Sequence, residues 1–492
     1  MRNEVQLIAY ADRFGGSLTG LREVLDEHLP GVFGGVHVLP FFTPYDGADA
    51  GFDPDDHTRV DPRLGTWADV AALGADRDVV VDVIVNHVSS RSPQFRGWLD
   101  QGDGSPHAGM FLTLGAVFPD GVTEDDLARI YRPRPGLPFT PVTVAGRRRF
   151  VWTTFTSEQI DIDVESEPGR TYLVSVLDAL AAAGVGMVRL DAVGYAVKTP
   201  GTSCFMTPET FTFIDDLTAQ ARARGMAVLV EVHSHYRKQV EIGARVDRVY
   251  DFALPPLVLH ALYTGDCEPL GRWLEIRPAN AVTVLDTHDG IGVVDVARDG
   301  EEPGLLADAQ VDALVEGIHE RTGGQSRRAT GAAASNLDLY QVNATYYAAL
   351  GRDDAAYLVA RAIQFFTPGI PQVYYVGALA GDDDMALLAR TGVGRDINRH
   401  HYPREEIAEQ VRRPVVAALL ALARFRNAHP AFGGEVVVDT GPHTLALRWH
   451  DGADRAELEV DARARTAVVR WTERGEAQAT NDLLAAPPVI GA

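Results

Sequence analysis

Runs rich in Val, Ile and Leu alternate with segments of helical period along most of the chain. The runs fall at 6–10, 36–39, 79–85, 187–190, 227–231, 249–252, 282–286 and 372–375. Each is short and mostly apolar, which predicts a buried strand. Amphipathic stretches lie between most of them, among them 18–28, 67–73 and 207–223. Ahead of the fourth run, Leu173, Val176, Leu177 and Leu180 recur three or four apart, and Gly184 stands where a helix C-terminal cap belongs. Eight apolar strands, each followed by a helix, predict an α/β fold built on a closed (β/α)8 TIM barrel. An open doubly wound sheet is the competitor, but no Gly-x-Gly-x-x-Gly turn follows the first strand.

Two gaps interrupt the rhythm. From His87 to about Pro168 the chain is rich in Pro, Gly and aromatics, and a stretch of that length predicts a small inserted domain after the third strand. A second segment, 290–351, carries Gly-Gly-Gln and Ala-rich stretches and reads as an irregular insertion after the seventh strand. Beyond a helical region at 403–426, runs at 435–439, 444–449, 457–460 and 467–471 alternate and predict a small C-terminal antiparallel β domain. The expected division is barrel at 1–86, 168–289 and 352–430, inserted domain at 87–167, second insertion at 290–351 and β domain at 431–492. Internal repeats and low-complexity tracts are not evident.

Bulk properties narrow the class. A chain of 492 residues with 46% apolar content can bury a large core. A formal charge of −23 argues against nucleic acid and anionic membrane surfaces as partners. An anionic substrate must then meet a local cationic patch. Cys204 and Cys267 are the only cysteines, too few for a disulfide framework or a thiolate cluster. No apolar run predicts a membrane span, and Met1-Arg2-Asn3-Glu4-Val5-Gln6 has no apolar core that predicts a signal peptide. The cytoplasm is the expected compartment.

The strand ends carry the chemistry. They read Asp82-Val83-Ile84-Val85-Asn86-His87, Arg189-Leu190-Asp191, Glu231-Val232-His233-Ser234-His235 and Asp286-Thr287-His288-Asp289. Residues two apart in a strand share a face, so Arg189 and Asp191 point the same way, into the mouth where barrels build their sites. For one strand end alone a structural Arg–Asp pair, or a satisfied buried histidine, accounts for the pattern as well. Several strand ends behaving alike favour a site. Three carboxylates from different strands suit glycosyl transfer with retention. Asp191, beside a cation that favours its ionised form, is the natural nucleophile. Glu231 has apolar flanks and no adjacent cation, which suits an acid/base that must carry a proton. Asp289 is left as the electrostatic stabiliser. Two other readings compete. A metal-dependent barrel hydrolase would use Glu231, His233 and His235 with His87, His288 and Asp289 as ligands. A non-catalytic sugar-binding barrel would be free to lose a carboxylate.

The four strand-end motifs resemble those of the α-amylase superfamily, glycoside hydrolase family 13. Four further stretches resemble its phosphorylase branch. They are Asp49-Ala50-Gly51-Phe52-Asp53, Tyr131-Arg132-Pro133-Arg134-Pro135-Gly136-Leu137-Pro138-Phe139, Ser335-Asn336-Leu337-Asp338-Leu339-Tyr340-Gln341-Val342-Asn343 and Gly394-Arg395-Asp396-Ile397-Asn398-Arg399. The resemblance runs from Val5 to about Asn427. It implies transfer of a glucosyl unit from sucrose to inorganic phosphate, giving α-D-glucose 1-phosphate and D-fructose through a covalent intermediate on Asp191. It implies the same roles for Asp191, Glu231 and Asp289, with Arg189 beside them. His87 and His288 would bind glucose hydroxyls, and Asp49 and Arg395 would close the blind end of the pocket. Phe52, Phe155 and Tyr195 would form its apolar wall. Arg134, His233 and Tyr340 would receive phosphate, while Asp338 and Gln341 would meet fructose, so a loop exchange between the half-reactions is expected. Neither cofactor nor metal is expected, and a homodimer is left open. Arg147-Arg148-Arg149 is expected at a solvated hairpin tip. His235, Ser89 and Ser90 depart from the residues expected in close relatives. They leave open sucrose 6′-phosphate, or another small α-glucoside, as the substrate.

Overall fold

In the computed structural model, residues 1–47, 49–132, 134–332 and 341–490 are described. Eight parallel strands close into a barrel: β1 (Gln6–Ala9), β2 (Gly35–Val38), β3 (Asp78–Ile84), β4 (Met187–Asp191), β5 (Ala227–Val230), β6 (Arg248–Asp251), β7 (Ala281–Thr283) and β8 (Ile370–Tyr374). Each matches one of the eight apolar runs, because helices cover the outside and side chains fill the inside. Register is what builds the site. β3 and β4 pair so that Asp82 lies opposite Arg189. β4 and β5 pair Leu190 with Val230, so Asp191 and Glu231 leave adjacent strands side by side.

The helix Glu167–Ala182, which leads into β4, shows how the sequence sets an element. Ser166 caps its first turn by accepting from the Gly169 N–H at 3.1 Å. Leu173, Val176, Leu177 and Leu180 form its buried stripe. Gly184 takes a positive φ of 75°, letting the chain turn and Val185 N–H reach Leu180 O at 3.2 Å. Removing the Ser166 cap costs about 1 kcal/mol, and Leu177→Ala about 3 kcal/mol.

Four boundaries differ from expectation. β7 stops at Thr283 because Asp286 leaves the ladder to pair with buried Arg361 at 2.5 Å. The second insertion carries two helices, Asp308–Arg321 and Gln325–Ala332. Leu314, Val315 and Ile318 bury one face of the first of these, a short stripe masked by its charged neighbours. The region 403–426 breaks into Arg404–Gln410 and Pro414–Ala428, since Pro414 holds Arg413 extended. The C-terminal sheet has five antiparallel strands: β9 (Glu435–Thr440), β10 (Thr444–Asp451), β11 (Asp454–Asp461), β12 (Thr466–Glu473) and β13 (Glu476–Thr480). The last, Glu-Ala-Gln-Ala-Thr, is a polar edge strand without an apolar pattern. Buried Leu447, Trp449 and Leu458 on this sheet face the barrel side, where Trp449 donates to Phe366 O at 2.7 Å.

After β3 the chain forms the helix Pro93–Gln101 and the hairpin Phe139–Val144/Arg147–Trp152, turned by Ala145 and Gly146 at positive φ. Arg147, Arg148 and Arg149 follow that turn and are solvated, as expected. Among the described residues no helix is long and apolar enough to cross a membrane.

Candidate active site

The carboxyl ends of the strands surround a pocket of about 630 Å³. Asp191, Glu231 and Asp289 all line it, so the three predicted carboxylates do converge. Beneath them, Arg189 is 2% exposed and donates through one nitrogen, Nη1, to Asp191 Oδ1 at 2.7 Å and to Asp82 Oδ1 at 2.5 Å. Asp82 is also held by His37 at 3.0 Å. Against its burial, His37 and Arg189 hold the Asp82 carboxyl down to about 2.

Sharing the guanidinium changes the environment of Asp191. The sequence suggests a carboxylate kept ionised by its neighbouring cation. Burial instead pushes the Asp191 carboxyl well above the usual range, with Glu231 and Asp82 adding to it and Arg189 opposing. Asp82 claims much of the cation that the sequence assigns to Asp191. Glu231 Oε2 accepts from the Ala192 N–H at 3.3 Å. Ala192 has φ 53°, a left-handed bend rare for alanine, and the turn that follows carries Tyr195 into the pocket wall.

Asp289 has the opposite environment. Arg395 Nη1 lies 3.1 Å from its Oδ1, His288 Nε2 3.7 Å and Arg399 Nη2 3.9 Å. Burial acts against ionisation, but Arg395, His288 and Arg399 hold the Asp289 carboxyl far below the usual range. Arg395 also stands 3.9 Å from Asp49, whose carboxyl is likewise lowered by Arg395 and Arg399 despite burial. Asp49 and Arg395 thus meet at one end of the pocket. Phe52 stacks on His288 with centroids 4.6 Å apart and planes at 9°. Phe155 meets His87 edge-on at 5.3 Å and Tyr195 at 5.2 Å. His87 Nε2 donates to Phe52 O at 2.9 Å. Burial pushes both imidazoles down, His288 to about 3, so both are neutral.

The remaining predicted residues fall on the far side. Arg134 lines the pocket. His233 Nε2 faces Glu231 Oε1 at 3.9 Å and borders a second cavity of about 890 Å³ lined by Tyr131, Phe205, His235 and Lys238. Gln341 Oε1 accepts from the Gly290 N–H at 3.3 Å, beside the short pairing of Ile291–Gly292 with Gln341–Val342. Asp338 and Tyr340 lie outside the described residues.

Comparison with known proteins agrees with this geometry. A sucrose phosphorylase of Bifidobacterium adolescentis is 55% identical over 503 residues, covering 100% of both chains. One from Agrobacterium vitis is 59% identical over 466 residues, covering 94% of this chain and 95% of the relative. This chain belongs to the sucrose phosphorylase family. A solved sucrose 6F-phosphate phosphorylase from Thermoanaerobacter thermosaccharolyticum superposes with a TM-score of 0.90 at 39% identity, covering 98% of each chain. An α-amylase from H. orenii, at 16% identity, TM-score 0.68 and coverage of 96% of this chain and 92% of its own, shares the fold. No protein-family model matches the chain. As a member of the sucrose phosphorylase family, the protein is an enzyme of the glycosyltransferase-type phosphorylase class.

Sequence reasoning missed several residues that shape this phosphorylase site. Asp82 and Arg399 stood inside quoted motifs without a role. Gln159, which lines the pocket, and Asp295, which reaches His233, carried no local signal. Among the described residues, Glu231, His233 and Asp289 are the group whose ligand atoms could hold a metal, within 4.8 Å of one another. Arg395 sits against Asp289 and Asp295 against His233. Those contacts compete with the ligand role that the metal-hydrolase reading needs.

Proposed function

We propose that the protein transfers the glucosyl unit of sucrose to inorganic phosphate, yielding α-D-glucose 1-phosphate and D-fructose. The observation that carries this reading is the convergence of three carboxyls in unlike environments on one pocket. Arg395, His288 and Arg399 hold Asp289 ionised against its burial, whereas burial raises the Asp191 carboxyl and Arg189 opposes it. With sucrose bound, Glu231 delivers a proton to the glycosidic oxygen as the Asp191 carboxylate attacks the anomeric carbon. Fructose leaves, and a β-glucosyl ester forms on Asp191. Asp289 stabilises the positive charge that builds on the sugar. Phosphate then attacks the same carbon from the vacated side, with Glu231 as base, and the second inversion restores the α anomer. Neutral His288 offers an N–H and a lone pair to sugar hydroxyls, and neutral His87, whose N–H goes to Phe52 O, offers a lone pair, neither drawing in anions. Asp49 and Arg395 would admit one terminal glucosyl unit rather than a polymer. Arg134, His233 and Tyr340 would receive phosphate; Asp338 and Gln341 would meet fructose, in turn with Arg134.

The deciding experiment is product analysis after incubation with sucrose, with and without phosphate. Phosphate-dependent α-D-glucose 1-phosphate is expected. A β product rules out the covalent route, and no product rules out the activity. A second reading, action on sucrose 6′-phosphate, draws on His235, Lys238 and Arg298 around the cavity beside His233. Comparing fructose with fructose 6-phosphate as acceptor in the reverse reaction separates the two. Cys204 and Cys267 are buried free thiols, which suits a reducing cytoplasm.

A further inference from the structure

We propose that Asp295 is a positioning residue for phosphorolysis, holding the His233 ring in the orientation and charge state that receive the anionic acceptor. The proposal rests on the reading of His233 as a phosphate contact. Asp295 itself reaches no part of the sugar pocket. It is fully buried behind the imidazole, and its Oδ2 lies 3.0 Å from His233 Nδ1. Its Oδ1 accepts from the Ser234 N–H at 3.2 Å and from Gln239 Nε2 at 3.0 Å. Three donors from the segment after β5 thus fix a carboxylate supplied by the loop after β7.

The surroundings are shaped around this contact. A Cβ on Gly292 would lie 2.4 Å from Asp295 Oδ2 and 3.1 Å from His233 Nδ1, so only glycine lets the pair meet. Phe252 covers the ring face at 3.8 Å and 16°, which prevents rotation. With Nδ1 committed to Asp295, Nε2 is turned toward Glu231 and the acceptor side. Among the described residues, Asp295, Glu231 and Asp289 are charged groups that face His233, and farther along the adjoining cavity stand Tyr131, His235, Lys238, Arg298 and Asp299. Burial disfavours the imidazolium, but Asp295, then Glu231 and Asp289, raise the His233 pKa above the ordinary value. Asp295 is the carboxylate that can do this without harm to the reaction. It lies on the far side of the ring, so phosphate meets the cation first and its counter-charge last. In a protein of charge −23, such a buried imidazolium is a cation placed where an anion must arrive.

The experiment compares Asp295→Asn and His233→Gln with the parent enzyme, measuring phosphate KM, kcat and sucrose hydrolysis from pH 5.5 to 9. Asp295→Asn keeps the shape and removes the charge. It should raise phosphate KM by about 10- to 100-fold, lower hydrolysis far less, and move the alkaline loss of phosphate binding to lower pH. Asp295→Glu should recover part of the loss. Equal falls in both reactions with an unmoved pH profile would reduce Asp295 to a structural residue. If His233→Gln is selective for phosphate and Asp295→Asn is not, this inference fails while the reading of His233 stands. If His233→Gln is not selective, that reading itself fails. Should Asp295→Asn not fold, imidazole ¹⁵N shifts of the parent enzyme decide. His233, assigned by its absence in His233→Gln, should titrate above about 6.5 and respond to inorganic phosphate. Titration below that value overturns the proposal.

Discussion

His87 beside Phe155 and His288 against Phe52 are 2% and 5% exposed, and His233 against Asp295 is 6% exposed. Burial alone would make all three neutral. In the first two burial outweighs the nearest carboxylates, Asp161 beside His87 and Asp289 beside His288, with Lys198 near the one and Arg189 and Arg399 near the other acting with burial. His233 is ringed by Asp295, Glu231 and Asp289, and its shift runs the other way. The same side chain at equal depth is therefore shifted toward its neutral form on one side of the site and toward its cation on the other. The difference lies in which strand ends stand opposite, not in the residue or its exposure.

The carboxyls repeat the lesson, and Asp191→Asn tests it hardest. No glucosyl-enzyme should form and kcat should fall by about 10⁴-fold or more, checked by intact mass after mixing with sucrose. Asp82→Asn should come next. It breaks a buried ion pair, costing about 3 to 5 kcal/mol of stability, and leaves Arg189 to Asp191 alone. The acidic limb of the sucrose kcat/KM profile should then move to lower pH; movement upward would mean that Asp82 does not compete for the guanidinium. Arg134→Ala should weaken phosphate binding by about tenfold or more while hydrolysis falls less, and equal loss of both would remove Arg134 from the acceptor wall. Phe52→Ala removes the stack on His288 and should raise sucrose KM by a few-fold to about tenfold, leaving phosphate KM alone. The smallest effect is on stability. Buried His57 and His288 are both pushed down to about 3. The unfolded chain takes up these protons first, near 6.5, so their contribution is complete above that value and is lost as pH falls from 6.5 toward 3. Tm should decline across that window, and a flat Tm would contradict the neutral assignment.

Much of the architecture was legible along the chain. All eight barrel strands follow from apolar runs, and Arg189-x-Asp191 follows from the two-residue period of a strand. The converging carboxylates Asp191, Glu231 and Asp289, and the blind-end pair Asp49 and Arg395, were named from motifs. Less legible were elements whose signal is weak locally. β13 is a polar edge strand, and the helix Asp308–Arg321 hides a short apolar stripe among charges.

The amino-acid order by itself determined the fold class, the family and most of the side chains that reach the pocket, because these depend on periodicity and short motifs. The charge that each side chain carries was decided only by the tertiary structure. Asp82 sits 107 residues from Arg189, and Asp295 sits 62 residues from His233. Electrostatic interaction depends on distance in space, and strand register brings the first pair, and the loop after β7 the second, within hydrogen-bonding reach.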